Sequence, residues 1–275
     1  MREAESAPIT RLCTLDDRSD AFDGLQIGNA WSQAYYDGLF HLPLRVAQDV
    51  PLVSLVFVQS REGNTGTDNP DDLGGGPVDK HLIYEGLSRV AADAALAGAK
   101  TAEGEETFFS VWHPELVALR REFGLSRHPA QIVVTGSGCI DLDRSMLFNV
   151  PDVPVYVVST PVGCERLSHE ASQRPWMELV PMRGEDLRAP LAYLRRERGI
   201  RRVSAIGGRT TASALIDAGL VQDLCRTTTA RSAGEPDTPL YVGKQPPDLR
   251  LIVRKRGMDP DYPIVFEHLA VITDR

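Results

Sequence analysis

Only four cysteines and six histidines occur in the 275 residues, and neither type is grouped. Cys13, Cys139, Cys164 and Cys225 stand far apart with no C-x-x-C pair, which excludes a disulfide scaffold and a zinc-finger spacing. No H-E-x-x-H and no histidine pair at helical spacing is present, so no structural or catalytic metal is expected. The G-x-x-x-x-G-K-[ST] phosphate loop and the G-x-S-x-G nucleophile elbow are missing too. Gly136-Ser137-Gly138-Cys139-Ile140-Asp141 starts like a dinucleotide fingerprint but carries Asp141 where the last glycine belongs. Basic charge is scarce: the net charge of -8 argues against nucleic acid or an anionic membrane as the main partner. Met1-Arg2-Glu3-Ala4-Glu5 is acidic and lacks the apolar core of a signal peptide. No apolar run approaches the roughly 20 residues that span a bilayer. The expected location is the cytoplasm, with a small molecule as the partner.

With 42% apolar and 25% charged residues, the composition is that of an ordinary globular protein. Residues 1–50 mix acidic, aromatic and Pro/Gly residues and are read as an extension, with Trp31, Tyr35, Tyr36, Phe40 and Leu42 packing a short helix on a main domain of residues 51–275. Leu52–Val58 is nearly continuous in apolarity, as suits a strand buried on both faces. A Gly/Asn/Asp/Pro-rich loop over 63–77 follows, and loops of that length are often functional. Asp79 is placed to cap a helix through about Ala91, with Leu82, Ile83, Leu87 and Val90 on one face. Further strands are expected at Ala92–Gly98, Gln131–Thr135, Val153–Val158 and Arg202–Ile206, and helices at Pro114–Phe123, Leu187–Arg198 and from the Gly-Gly turn through Ala218. Gly199 and Gly219 fit helix ends. The arginines around Gly199 are read as a solvated helix end or, second, an anion site. The tail offers strands at Leu224–Thr229, Leu249–Arg254 and Ile264–Leu269. Alternating strands and helices followed by late strands predict an α/β fold, a mostly parallel sheet finished by antiparallel strands.

The most informative stretch is Arg202–Ile216, where an apolar run stops at Gly207-Gly208 and a helical pattern opens at once. Glycines let an anion approach main-chain N–H groups, and a helix start offers unpaired N–H groups and partial positive charge. Arg209, Thr210 and Thr211 add a cation and two hydroxyls. The same pattern fits a plain tight turn with a threonine N-cap. Two other strand ends carry similar residues, Gly98-Ala99-Lys100-Thr101 and Gly136-Ser137-Gly138. In open α/β sheets ligands bind beyond the carboxyl ends of strands, so together the three favour a nucleotide site.

The order of these landmarks resembles the C-terminal reductase domain of riboflavin-biosynthesis deaminase–reductases and their stand-alone pyrimidine reductase relatives. Ser60-Arg61-Glu62-Gly63 is similar to the family's S-L-D-G, and Arg89, Asp93-Ala94, Gly98 and Thr101 to its R-x-x-x-D-A…G-x-x-T. Pro129–Val134 followed by Gly136-Ser137-Gly138 resembles P-x-x-V-V and its glycines, Ile206-Gly207-Gly208 resembles E-G-G, and Leu220–Leu224 echoes L-V-D-E-L. The likeness spans roughly residues 51–270 and implies a dihydrofolate-reductase-like fold, a homodimer and an NADPH-dependent reductase acting on a pyrimidine- or pterin-like substrate. It implies cofactor contacts at Gly98, Thr101, Ser137, Gly138, Gly207, Gly208, Arg209, Thr210 and Thr211, and substrate contacts at Ser60, Glu62, Asn64 and Arg89. Glu62, where the family has Asp, is the candidate for polarising or protonating the acceptor, against a plainer reading as a loop carboxylate capping a turn. Ile206 stands where the family has Glu, and Val56 where the bifunctional enzymes commonly carry Lys. These departures imply an altered substrate, or a nucleotide-binding protein without turnover.

Overall fold

The computed structural model describes residues 9–44 and 49–272. Twelve strands are formed among the described residues: β1 Leu12–Asp17, β2 Gly24–Ile27, β3 Phe40–Pro43, β4 Leu52–Gln59, β5 Ala94–Gly98, β6 Ala130–Thr135, β7 Val155–Ser159, β8 Met177–Pro181, β9 Arg202–Ala205, β10 Val221–Thr229, β11 Asp248–Gly257 and β12 Ile264–Ile272. β2 and β3 make a separate antiparallel pair, and the other ten share one sheet in the order β1-β11-β12-β10-β4-β9-β5-β6-β7-β8. From β10 to β8 every pairing is parallel, and from β10 to β1 every pairing is antiparallel. The expected class, a mostly parallel sheet finished by antiparallel strands, is therefore the observed one. β9 arrives late in the chain yet inserts between β4 and β5. That return creates the crevice where an open α/β sheet binds its ligands.

β4 shows why the centre is stable. Val53, Leu55 and Phe57 point into one apolar cluster with Leu191, Leu194, Ala212 and Leu215 from two covering helices. Val56 points into the opposite cluster with Leu82, Ile83, Leu87, Tyr36 and Phe40. Alternation sends successive side chains to opposite faces, so a strand covered on both sides must be apolar at both parities. Polar ties cross the centre as well. Asp223 accepts from Ser54 Oγ at 2.6 Å and pairs through its other oxygen with His268 Nε2 at 2.7 Å, joining β4, β10 and β12. Asp93 accepts the backbone N–H groups of Arg201 and Arg202, both at 2.8 Å, which fixes the start of β9 beside β5.

The helix expected from an Asp79 cap is built differently. Helical backbone starts at Gly76–Val78, with proline in its first turn, and continues as a π-helix over Asp79–Leu87. Asp79 lies inside that run, its carboxyl turned inward onto the Thr227 hydroxyl rather than capping a helix end. In the last turn Ser88 N–H donates to Ile83 O at 2.9 Å, an i to i−5 bond. Leu82, Ile83 and Leu87 are buried as expected.

The N-terminal segment reaches into the architecture. β1 pairs with β11 at the sheet edge, and the N-terminus of the helix Ala30–Tyr35 is closed by a capping box in which the Asn29 side chain accepts the Ser32 N–H and the Ser32 hydroxyl accepts the Asn29 N–H. Trp31, Tyr36, Phe40 and Leu42 join the cluster around the π-helix, while Tyr35 stays exposed. The segment 161–181 holds a helix, Pro161–Ser172, and strand β8 that the sequence reading left unassigned.

Candidate active site

Two cavities open at the carboxyl ends of the parallel strands. The larger, about 560 Å³, lies beyond β5, β6 and β9 and is lined by Gly98, Thr101, Gly136, Gly208, Thr210 and Thr211 among others. Local backbone explains its shape. Gly207 and Gly208 have φ of 117° and 81°, a region costly to any residue with a Cβ. Gly208 is the N-cap of the helix Arg209–Asp217 and no side chain caps it, so the first-turn N–H groups have no intrahelical partner. The threonine N-cap reading is therefore replaced by a glycine one. A Cβ on Gly98 would come within 2.9 Å of Thr211 Oγ1, so this glycine lets the end of β5 meet the helix start. A Cβ on Gly136 would meet nothing within 4 Å; it would simply enter open space.

The smaller cavity, about 280 Å³, is lined by Val58, Ile206 and Thr101 at strand ends, by Phe108, Phe109 and Trp112, and by one side of the π-helix. That side supplies Asp79, Lys80, Tyr84 and Glu85. Bonding from i to i+5 brings residues five apart side by side, which aligns 79 with 84 and 80 with 85, while Arg89 reaches the cavity from the turn past the C-cap Ser88. An α-helix would splay the same residues around its axis. Thr101 lines both cavities, making it their meeting point.

Charge in the smaller cavity is mixed and mostly buried. Arg89 is 6% exposed; its Nη1 donates to Ser110 O at 2.7 Å, and its Nε has no partner. Burial brings its pKa down to about 10, opposed by Glu85, so it keeps its charge at neutral pH. Burial pushes the Glu85 carboxyl up, but His81, the Trp112 N–H and Arg89 together hold it below the ordinary carboxylate value. Asp79 has no such help: burial raises its pKa to about 7, and only the Thr227 hydroxyl opposes the shift. Among the described residues no cation pairs with it. Arg127 sits over the Trp112 ring at 5.3 Å, stiffening the aromatic wall.

The sequence-predicted residues divide. Gly98, Thr101, Gly208, Thr210 and Thr211 line the larger cavity, and Arg89 and Ile206 the smaller. Gly207 abuts Thr101, while Arg209 lies outside both linings. Ser137 and Gly138 also lie outside: Ser137 O accepts from Arg166, and Gly138, with φ 66°, packs on Gly163. Their neighbour Gly136 is the lining residue of that strand end. Glu62 lines neither cavity. It sits in an exposed turn where Ser232, its own backbone N–H, Ser60 and Arg61 hold its carboxyl below the usual value. Ser60 is buried and accepts the Asn64 N–H, while Asn64 Oδ1 accepts the Thr238 N–H at 3.2 Å, so both shape the loop after β4. Val56 is core, and Val58 is the β4 residue on the cavity.

The family model of the RibD C-terminal domain matches residues 59–257, a range that contains both cavities' glycines and the π-helix. The chain belongs to the RibD C-terminal domain family. Among solved structures it is similar to a pyrimidine reductase-like protein of Corynebacterium diphtheriae, at 19% identity and TM-score 0.64, over 84% of this chain and 96% of that one. It is similar also to Acinetobacter baumannii RibD, at 15% identity and TM-score 0.62, over 82% of this chain and 59% of that longer one. The riboflavin biosynthesis reductase Rib7 of Saccharomyces cerevisiae follows at 16% identity and TM-score 0.57, over 83% and 93%. At such identities the likeness is one of fold. A comparison with curated proteins gives no match.

Membership in the RibD C-terminal domain family supports a reductase-type oxidoreductase with a small-molecule substrate. No helix among the described residues is long and apolar enough to cross a membrane. Sequence reasoning missed Asp79, Tyr84 and Trp112 as cavity residues. The signal was available in the five-residue spacing of 79 and 84, but only a π-helix gives that spacing meaning.

Proposed function

We propose that this protein is an NADPH-dependent reductase of the riboflavin-pathway pyrimidine reductase type, with cofactor in the larger cavity and a planar pyrimidine- or pterin-like acceptor in the smaller. One observation carries the reading: a glycine-lined cavity at a helix N-terminus meets an aromatic, charged cavity at Thr101. The residues present fit the cofactor. Gly136 opens bare backbone onto free space, and Gly208 leaves the first-turn N–H groups of a nine-residue helix for an anion. A reduced nicotinamide, when bound, supplies the hydride.

The chain's own residues do the rest. Gly98, Gly136, Gly208, Thr210 and Thr211 hold the phosphates and Lys100 adds a cation; Ser137, Gly138, Gly207 and Arg209 shape these walls from outside the lining. Phe108, Phe109 and Trp112 exclude water and stack the acceptor ring, and Arg89 offers its free Nε to an acceptor oxygen or phosphate. The protein functions as a homodimer in the cytoplasm. NADPH titration followed by oxidation against pyrimidine and pterin acceptors tests the proposal; no NADPH binding would remove it. Apolar Ile206 on the acceptor wall favours a second reading, a nucleotide-binding protein without turnover. That outcome is NADPH binding with no acceptor reduced.

A further inference from the structure

We infer that Asp79 is the acid of this site, donating the proton that accompanies hydride addition to a C=N bond of a planar acceptor. The inference rests on the reductase reading. Its geometry is independent of that reading: Asp79 is 4% exposed, yet its residue lines the acceptor cavity. Its carboxyl is anchored on one side and closely approached on the other. Thr227 of β10, itself fully buried, bonds one oxygen, and a Cβ on Gly75 would fall 2.8 Å from the other, so the backbone there comes close.

The groups around the carboxyl also suit an acid. Lys80, Tyr84 and Glu85 flank it along the π-helix and Arg89 from the turn after it, Asp71 lines the cavity from the preceding loop, and Thr227 and Cys225 face it from β10. None of the cations forms an ion pair with it among the described residues, and burial disfavours its ionised form. A carboxylic acid kept protonated near neutral pH can give up a proton at the moment charge develops. A C=N acceptor matches, since its nitrogen becomes an amine that must take a proton.

Hydride from the reduced nicotinamide forms a C–H bond at the acceptor carbon, and the C=N π pair moves to nitrogen. That nitrogen takes the Asp79 proton, forming N–H. The acceptor is reduced by two electrons, the nicotinamide is oxidised, and the Asp79 carboxylate regains its proton from solvent when the product leaves.

The test labels aspartate side-chain carboxyls with carbon-13 and titrates the wild-type protein, Asp79→Asn and Thr227→Val by NMR, beside NADPH binding and oxidation. One resonance should titrate near pH 7, be absent in Asp79→Asn, and titrate higher in Thr227→Val, which lacks the bond favouring the ionised form. Asp79→Asn should bind NADPH as wild type does and oxidise it, against the pyrimidine or pterin that wild type reduces best, about 100-fold or more slowly. Titration of that resonance near pH 4, or Asp79→Asn turnover within about threefold of wild type, would overturn the inference while leaving the cofactor site standing. Failure of wild type to bind NADPH would remove the reductase reading, and the acid role with it.

Discussion

Gly136→Val separates a ligand cradle from an ordinary turn. Gly136 is exposed, is not in the left-handed region, and carries no atom within 4 Å of where a Cβ would stand. A branched side chain there meets only the larger cavity. Surface changes of this kind usually shift stability by no more than about 0.5 kcal/mol, or about 2 °C in melting temperature for a chain of this size. Binding should behave otherwise. Phosphate held against the bared backbone loses at least one hydrogen bond to a charged group, worth about 1.5–3 kcal/mol. That is an affinity loss of about 10- to 150-fold from a starting value near −8 kcal/mol. NADPH titration by fluorescence and a thermal melt on one preparation read both quantities. Unchanged melting with unchanged NADPH affinity would refute the cradle, because the valine would then occupy space that no ligand uses.

Gly208→Ala should show the opposite balance: its Cβ meets ordinary contacts at 3.5 Å and beyond, but its φ of 81° should cost about 1–2 kcal/mol in stability, seen by chemical denaturation. Asp79→Asn should stabilise the fold in a pH-dependent way. The folded pKa near 7 exceeds the unfolded 3.8, so wild type loses stability as pH rises through that window, and the variant's advantage should be absent near pH 3 and grow to at most about 4 kcal/mol above pH 7. Equal melting temperatures of the two proteins at pH 8 would contradict this. The phosphoribosylamino-uracil intermediate of riboflavin synthesis should be a poor acceptor, because Ile206 leaves one of its polar groups unpaired at about 1–3 kcal/mol; efficient turnover in a spectrophotometric assay would refute that.

Legibility followed the local physics. β4 and β6 were readable because a strand buried on both faces is nearly continuously apolar, and the Gly-Gly turn after β9 because positive φ selects glycine. The helix Pro161–Ser172 was not read, although Thr160 capping Gly163 N–H with Pro161 behind it is a start signal. Its buried stripe is only Gly163, Leu167 and Ala171, too weakly apolar to show as a period. β1 escaped because Leu12 alone is fully buried in a six-residue edge strand. Of the glycines the resemblance implied, Gly98 and Gly208 line the larger cavity while Gly138 and Gly207 do not, and Glu62 lines neither cavity. Glu62 is set by a turn that only tertiary contacts with Ser232 define.

On the proposed reading, the wall of the smaller cavity is where substrate preference is altered without loss of the fold. Position 206 follows β9, whose backbone is locked by Asp93 and by Ile206 N–H donating to Leu96 O at 2.9 Å, so its side chain must face the cavity whatever it is. Isoleucine there removes a carboxylate without cost to the core it also joins. The helix wall offers other polar groups in a different geometry, since the π register aligns Asp79 with Tyr84 and Arg89 follows in the turn after the helix. On the proposed reading, the acid therefore sits on the π-helix and the anion site just past its end, and the sheet supplies an apolar floor. A substrate that fits must offer its proton-accepting nitrogen toward the helix rather than toward the Gly-Gly turn. Ile206→Glu would place a third buried carboxyl, beside Asp79 and Glu85, in the same small cavity and, through repulsion between acids, should raise the Asp79 titration further. Carbon-13 NMR of that variant reads the effect directly, and an unmoved Asp79 resonance would show that the two walls do not face one ligand.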